Sequence, residues 1–461
     1  MKLYPYQVEG VAKLKRFGGR ALLADAPGLG KTLQTLRYLA DESDALPAII
    51  VCPASVKWHW RSQARMVGLT SSVLEGFDKK PRNAHPDLWI VNYDILPDHR
   101  IKGRRGKREG RLGFLLSVGA KTVGLDEGHY VANSSSKRSK AVRKLCIGKE
   151  KVIVITGTPM RNRPIDLFNS LNLLWPAEFP SRFSFGSKFC RPRWTPWGMK
   201  YDGASNLKVL YRRLRRLGYI RRRKRDVLKD LPKLSQGSVS VPLSDPAEYI
   251  EAELDFLKWL RKEHPQKAKR AARAMFLAKS GYLLRLAATL KMSAVEEWID
   301  DFLRDSGDGK LAVFAIHKAI IGRLRERYGR ACVWIDGSVA PEKRPDRVAE
   351  FQRRKSCRLF LGNVQAAGVG MDGLQRCCST GLLIEFPWSP EEVKQVVGRL
   401  DRIGQKEPVQ FTSLVGKGTI EESVLEVLRR KQKHIETALD GGRPGEGGFY
   451  EAMVQILKEK K

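Results

Sequence analysis

Short apolar runs alternate with amphipathic stretches along the first third of the chain. Leu22-Leu23-Ala24, Ala48-Ile49-Ile50-Val51-Cys52, Leu88-Trp89-Ile90-Val91-Asn92-Tyr93, Thr122-Val123-Gly124-Leu125 and Val152-Ile153-Val154-Ile155 have the length and uniform hydrophobicity of strands buried on both faces. Before and between them apolar residues recur at helical spacing, first Val11 and Leu14, then Leu33, Leu36 and Leu39. Such alternation predicts an α/β fold, a parallel sheet with helices on both faces. Later stripes, Leu254, Leu257 and Leu260 and then Leu283, Leu284 and Leu286, predict packing helices over residues 246–292. Thr419-Ile420-Glu421-Glu422-Ser423-Val424-Leu425 opens another helix, expected to brace the second half of the chain. Residues 440–448 are glycine-rich, and a short amphipathic tail follows.

At 461 residues the chain is long enough for two or three cores. Lysine and arginine number 85 against 50 acids, a formal charge of +35. A field of that strength favours a polyanion, and nucleic acid is the commonest one. An anionic membrane is the rival partner. No apolar run approaches the roughly 18 residues of a spanning helix, and no basic amphipathic helix stands alone at a terminus. The stretch Met1-Lys2-Leu3-Tyr4-Pro5-Tyr6 lacks an apolar signal core. Seven cysteines are scattered without a C-x-x-C pair, which argues against zinc and disulfides and for a reducing intracellular compartment.

Candidate chemistry concentrates where the strands end. Asp25-Ala26-Pro27-Gly28-Leu29-Gly30-Lys31-Thr32 follows the first strand and opens a helix, the layout of a phosphate-binding loop. Glycines Gly28 and Gly30, with Leu29 between them, let backbone N–H groups converge on an anion. Lys31 is expected to reach the outer phosphates of ATP, and the Thr32 hydroxyl to ligate Mg²⁺. Gln7, about twenty residues upstream, suits an adenine edge because its amide donates and accepts. Ser55 is expected to cap the helix after the second strand and to offer a phosphate site. Asp126-Glu127 follows the Thr122–Leu125 run; Asp126 would hold Mg²⁺, and Glu127 would orient and deprotonate the attacking water. Thr156, Gly157 and Thr158 end the next strand, where the hydroxyls can sense the γ-phosphate and pass that state on. Residues 100–111 hold seven basic side chains, one acid and three glycines, a solvated loop or a phosphate-contacting one.

The order of these motifs resembles the Swi/Snf-type ATPases of helicase superfamily two over nearly the whole chain. The second half adds Val313-Phe314-Ala315-Ile316-His317-Lys318, Ile335-Asp336-Gly337-Ser338, Gly368-Val369-Gly370-Met371-Asp372, Phe386-Pro387-Trp388-Ser389-Pro390 and Gln395-Val396-Val397-Gly398-Arg399-Leu400-Asp401-Arg402-Ile403-Gly404-Gln405. The stretches from Pro196 to Leu207 and from Arg222 to Pro232 resemble the annealing-helicase, fork-remodelling branch. The resemblance implies two RecA-like lobes with helical insertions. The first spans 1–236, with a helical and basic insertion at about 165–235. The second spans 237–440, with a protrusion at about 246–292, and 441–461 forms a linker and tail. It implies further ATP-site residues, Gly370 and Asp372. Arg399 and Arg402 would be arginine fingers, and Gln395 would help order the water. Ser55, Lys57, Trp58, Tyr93, His317, Lys318, Gln365 and Trp388 become candidate DNA contacts.

Twelve basic residues and two acids lie between Leu207 and Lys233, with Leu210, Leu214 and Leu217 at helical spacing. Arg222 and Arg223 of this tract are expected to touch DNA or the interlobe surface. Ala26, Pro27 and Gly128 depart from the family pattern, and the later motif blocks look bacterial or phage-like. The implied activity is an ATP-dependent translocase on double-stranded DNA, forked or branched forms included. It would work as a monomer in the cytoplasm or nucleoid, with ATP and Mg²⁺ and no membrane. A strand-separating helicase, or an ATP-controlled switch acting on a protein partner such as a polymerase, are the alternatives.

Overall fold

The computed structural model describes residues 3–76, 85–100, 107–195, 198–262, 269–367 and 372–442. It divides into two compact units, Met1–Lys229 with Lys433–Arg443, and Asp230–Gln432 with Pro444–Lys461. Residues 101–106 of the basic loop lie outside the described residues, as does the tail beyond Gly442.

In the first unit, described strands β1 (Arg20–Leu23), β2 (Ala48–Cys52), β3 (Ser71–Val73), β4 (Leu88–Asn92), β5 (Thr122–Asp126), β6 (Lys151–Ile155) and β7 (Tyr219–Ile220) form one sheet. Their order is β7-β1-β6-β5-β2-β4-β3, and all the pairings are parallel. The strand periodicity of two divides the side chains between two cores. Ala21, Leu23, Ile50, Cys52, Ile153 and Ile155 join one core with α1 (Pro5–Arg16), α2 (Lys31–Asp41) and α3 (Lys57–Met66). Leu22, Ala24, Ile49, Val51, Val123, Leu125, Val152 and Val154 join the other. That face is covered by α4 (Lys137–Cys146), α5 (Phe168–Leu174) and α6 (Leu207–Leu217). Burial on both faces is why these strands read as continuous apolar runs.

The second unit repeats the plan with β8 (Leu234–Val241), β9 (Leu311–Ala315), β10 (Cys332–Ile335), β11 (Leu359–Asn363), β12 (Thr380–Leu383) and β13 (Val409–Gly416). The parallel order is β8-β13-β12-β9-β11-β10. Helices α7 (Pro246–Lys262) and α8 (Lys269–Leu290) share a small core of Tyr249, Leu283, Ala287 and Leu290. Leu254, expected on a packing stripe, is instead 49 % exposed. Helices α9 (Met292–Asp305) and α10 (Lys318–Tyr328) cover one sheet face; α11 (Arg344–Arg353) and α12 (Pro390–Val397) cover the other.

The last described helix, α13 (Ile420–Asp440), begins in this unit with Val424, Leu425 and Leu428 in its core. A buried ion pair anchors that start. Lys291 Nζ donates to both oxygens of Glu421 at 2.7 Å, and Glu421 also accepts from Gly416 N at 2.8 Å. The last turns belong to the first unit, where Ile435, Ala438 and Leu439 join the core and Leu439 O accepts from Tyr219 at 3.0 Å.

Candidate active site

Past β1 the chain turns through Gly28 and Gly30 at φ 87° and 71°, left-handed values that glycine adopts at least cost. Gly30 directly precedes α2, and a β-carbon there would lie 2.4 Å from Gln7 Nε2. Gln7 is buried against the loop, donating to Leu29 O at 3.3 Å and accepting from Tyr4 N at 3.0 Å. Lys31 Nζ donates to the carbonyls of Asp25, at 2.8 Å, and Ala26, at 3.3 Å. Burial lowers its pKa, while Glu127, Asp25 and Asp126 pull the other way. Thr32 follows in the first turn of α2, partly exposed.

The two carboxylates stand at the end of β5. Asp126 Oδ2 accepts from the Trp60 indole at 2.7 Å and Oδ1 from Glu127 N at 3.0 Å. Its carbonyl accepts from the Tyr93 hydroxyl at 2.7 Å. Burial, then the charge of Glu127, raises the Asp126 pKa, against the pull of Trp60 and Lys31. Glu127 adopts a left-handed φ of 49°, uncommon for a residue with a side chain. Burial raises its pKa, but His129 at 3.2 Å, Lys31 and the Thr156 hydroxyl at 3.2 Å outweigh it, and the net direction is down. The same contacts hold the Glu127 carboxylate in place. Thr156 Oγ1 accepts from Thr158 N at 3.0 Å, and the Thr158 hydroxyl lies 3.3 Å from His129 Nδ1. A β-carbon on Gly157 would come within 2.9 Å of Pro27 and 3.3 Å of Lys31 Nζ, so this loop closes directly on the phosphate-binding turn. Lys31, Asp126, Glu127 and Thr156–Thr158 thus form one cluster within the first unit.

A second network lies behind the loop. Asp25 is fully buried and accepts from Arg222 Nε at 3.0 Å, Arg222 Nη2 at 2.6 Å, Arg222 N at 2.9 Å and Gln34 Nε2 at 3.1 Å. Arg222 also donates to Gln34 Oε1 at 2.7 Å and to the Tyr6 carbonyl. Arg222 is only 8 % exposed, so its expected role as a DNA contact is replaced by an internal tie between α1, the loop and α2. Arg221 donates to Ala24 O at 3.0 Å and to Asp440 at 2.7 Å, which connects the loop to the end of α13. Arg223 is more open and pairs with Asp226 at 3.0 Å.

The other expected nucleic-acid contacts divide in the same way. Tyr93 is 1 % exposed and braces Asp126, so its hydroxyl faces inward rather than toward a phosphate. Ser55 lies in the turn Ala54–Val56, and α3 starts after Val56 without a side-chain cap; the intervening turn displaces the serine from the capping position. Lys57 Nζ donates to Leu74 O at 3.1 Å. Trp58 is 44 % exposed, with the Arg61 guanidinium 5.3 Å from its ring centroid.

In the second unit Lys318, Gln365 and Trp388 are exposed. His317 is partly exposed and oriented by Glu385, which also accepts from Ile316 N at 2.7 Å and His317 N at 2.8 Å. Gln395, on α12, and Arg399 are partly exposed. Arg402 lies 3.3 Å from Asp372, which also accepts from Gln375 at 3.0 Å. Burial opposes ionisation of Asp372, but Arg402 and Gln375 hold its pKa down. Gly370 lies outside the described residues.

Residues 6–273 match the SNF2-related domain, and residues 291–404 match the helicase conserved C-terminal domain. The chain belongs to the SNF2-related family. These two domains carry the ATP-binding core of helicase superfamily two, and the paired parallel sheets have the expected RecA-like architecture. One relative, the SWI/SNF-related matrix-associated actin-dependent regulator of chromatin subfamily A-like protein 1 of Xenopus laevis, is 30 % identical over 95 % of this chain and 44 % of its own length. The DNA annealing helicase and endonuclease ZRANB3 of Mus musculus is 29 % identical over 95 % of this chain and 41 % of its own. This SNF2-related chain therefore spans less than half the length of either animal relative. A solved Sulfolobus solfataricus SWI2/SNF2 ATPase core in complex with dsDNA aligns over 100 % of this chain and 97 % of that one, at 22 % identity and TM-score 0.45. Among the described residues, no helix is long and apolar enough to cross a membrane.

Sequence reasoning missed Trp60, Gln34 and His129. Only His129 left a local signal, sitting two positions after Glu127 on the same strand-end turn.

Proposed function

We propose that this chain is an ATP-driven translocase on double-stranded DNA that remodels DNA structures, by fork remodelling or strand annealing, or displaces bound proteins. The observation that carries the reading is the Glu127 carboxylate, held by His129 and Thr156 beside a loop whose lysine is ready for phosphate. Lys31 exchanges the loop carbonyls for the outer phosphates of ATP. Glu127 orients a water and takes its proton as the water oxygen bonds to the γ-phosphorus, while the bond from that phosphorus to the β,γ-bridging oxygen breaks and ADP leaves with the electron pair. Thr156 and Thr158, bonded into that same cluster, relay the phosphate state to the loop.

Asp126 and Thr32 are hard oxygen donors, and burial beside Glu127 makes a lone Asp126 charge costly, so both suit a small dication. Mg²⁺ held by Thr32 and Asp126 would neutralise charge on the phosphates. Arg399 and Arg402 take the role of arginine fingers in this reading. Arginine fingers contribute about 10³–10⁵ in rate, which makes hydrolysis depend on bringing them to the nucleotide.

Duplex contact is assigned to the exposed residues Trp58, Lys318, Gln365 and Trp388 and the partly exposed Lys57, Arg223 and His317. Binding through phosphates gives a grip that does not depend on sequence. The name of one relative, a DNA annealing helicase and endonuclease, supports the strand-annealing reading. Steady-state ATP hydrolysis with duplex, single-stranded and forked DNA tests the reading. Stimulation by duplex or fork supports it, and an equal rate without nucleic acid contradicts it.

A further inference from the structure

Trp60 is fully buried, and an indole N–H inside a core needs an acceptor. It finds one in Asp126 Oδ2 at 2.7 Å, across 66 residues of sequence. Trp60 sits on α3 two positions after Trp58. At about 100° per residue these side chains point to opposite sides of the helix. The outer side presents Trp58, 44 % exposed and stacked with Arg61, an aromatic–cation pair suited to a nucleic-acid backbone. The inner side ends on the carboxylate.

Tyr93, from the turn after β4, fixes the Asp126 main chain at 2.7 Å, so freedom at this residue remains chiefly in its side chain. Glu127 N holds Oδ1 at 3.0 Å and Trp60 holds Oδ2. A hydrogen bond of 2.7 Å tolerates displacement of only a few tenths of an ångström before it weakens. A small movement of α3 is therefore felt at Asp126.

We propose that Trp60 is a positioning residue through which duplex DNA held against α3 sets the Asp126 carboxylate that holds Mg²⁺. The inference rests on the proposed roles of Asp126 and α3. It adds a direct link from the nucleic-acid surface to the metal-holding side chain, independent of the Thr156–Thr158 loop.

The test is a binding equilibrium, free of turnover. The affinity of the full chain for a fluorescent ADP analogue is measured with Mg²⁺ and with EDTA, each with and without a saturating short duplex. In the wild type, Mg²⁺ is expected to tighten nucleotide binding about fivefold more when duplex is present, the lower end of ordinary coupling between sites. Trp60→Phe keeps most of the ring and removes the N–H. It should bring that ratio close to one, with the duplex affinity within about twofold of wild type and a cooperative melt at a lower temperature, because the buried Asp126 loses a donor.

A variant that keeps the wild-type ratio overturns the proposal and leaves Trp60 as packing, while the assignment of Asp126 stands. A wild type with no extra tightening overturns both. Should Trp60→Phe fail to fold, ¹⁵N-labelled wild-type protein gives the same test. The slowest-exchanging indole N–H must shift both on adding duplex and on adding Mg²⁺ with ADP, and no shift with either overturns the link.

Discussion

Replacing Arg222 with alanine removes two charge-assisted bonds from the fully buried Asp25, at 3.0 and 2.6 Å, together with those to Gln34 and the Tyr6 carbonyl. Asp25 keeps only Gln34 Nε2 at 3.1 Å and the backbone N–H of residue 222 at 2.9 Å. Removing one partner of a buried pair costs about 3–5 kcal/mol, because the remaining charge is stranded. For a unit of this size each kcal/mol lowers the melting temperature by about 2–4 °C, so a fall of about 6–20 °C is expected. Arg223→Ala is the internal contrast. Arg223 is 28 % exposed and its partner Asp226 43 %, and such surface pairs contribute at most about 1 kcal/mol. DNA binding reverses the ranking. Each phosphate contact adds about 0.9 to the slope of log affinity against log salt. Arg223→Ala should lower that slope by about that much, and Arg222→Ala should leave it unchanged. Circular dichroism melting, with duplex affinity at several salt concentrations below both transitions, reads the two effects. An Arg222→Ala protein that melts within about 2 °C of wild type, or that loses salt slope, would refute the placement of this side chain as an internal tie.

Three further outcomes follow from the same geometry. Glu127→Gln keeps the side-chain shape but removes the anion, so nucleotide and duplex binding should persist while turnover falls below a few per cent, checked by fluorescent nucleotide binding beside phosphate release. Lys31→Ala should instead weaken nucleotide binding itself, read as a loss of affinity for the same probe. Asp440→Asn removes the charge that holds Arg221 against the Ala24 carbonyl at the foot of the loop; a hydrogen bond to a charged group contributes about 1.5–3 kcal/mol, so part of that stability should disappear from the melting curve, and the nucleotide affinity should fall.

The strands were legible because burial on both faces leaves an unbroken apolar run, and each run indicated before appears as a strand in register. The phosphate-binding turn was legible because its demands are local: glycines at positive φ, then a lysine on a helix start. The ties between elements were not. Arg222 meets Asp25 across 197 residues, and within a basic tract nothing distinguishes an arginine that folds inward. Trp60 read as an ordinary helix aromatic and Tyr93 as a candidate DNA contact; only the topology shows that both reach Asp126, from 66 and 33 residues away. Gly128, a departure from the family pattern, has a local cause. A β-carbon there would lie 2.4 Å from Val154 Cγ1, so the turn after the carboxylates has no room for a side chain.

Displacement of a triplex-forming strand from duplex DNA, run beside an unwinding assay on a matched fork, tests the central claim most directly. Movement along a duplex while gripping its phosphates predicts ATP-dependent triplex displacement without separation of the underlying strands, abolished by Glu127→Gln. Strand separation at a comparable rate, or ATP hydrolysis on duplex with the triplex left intact, would contradict it.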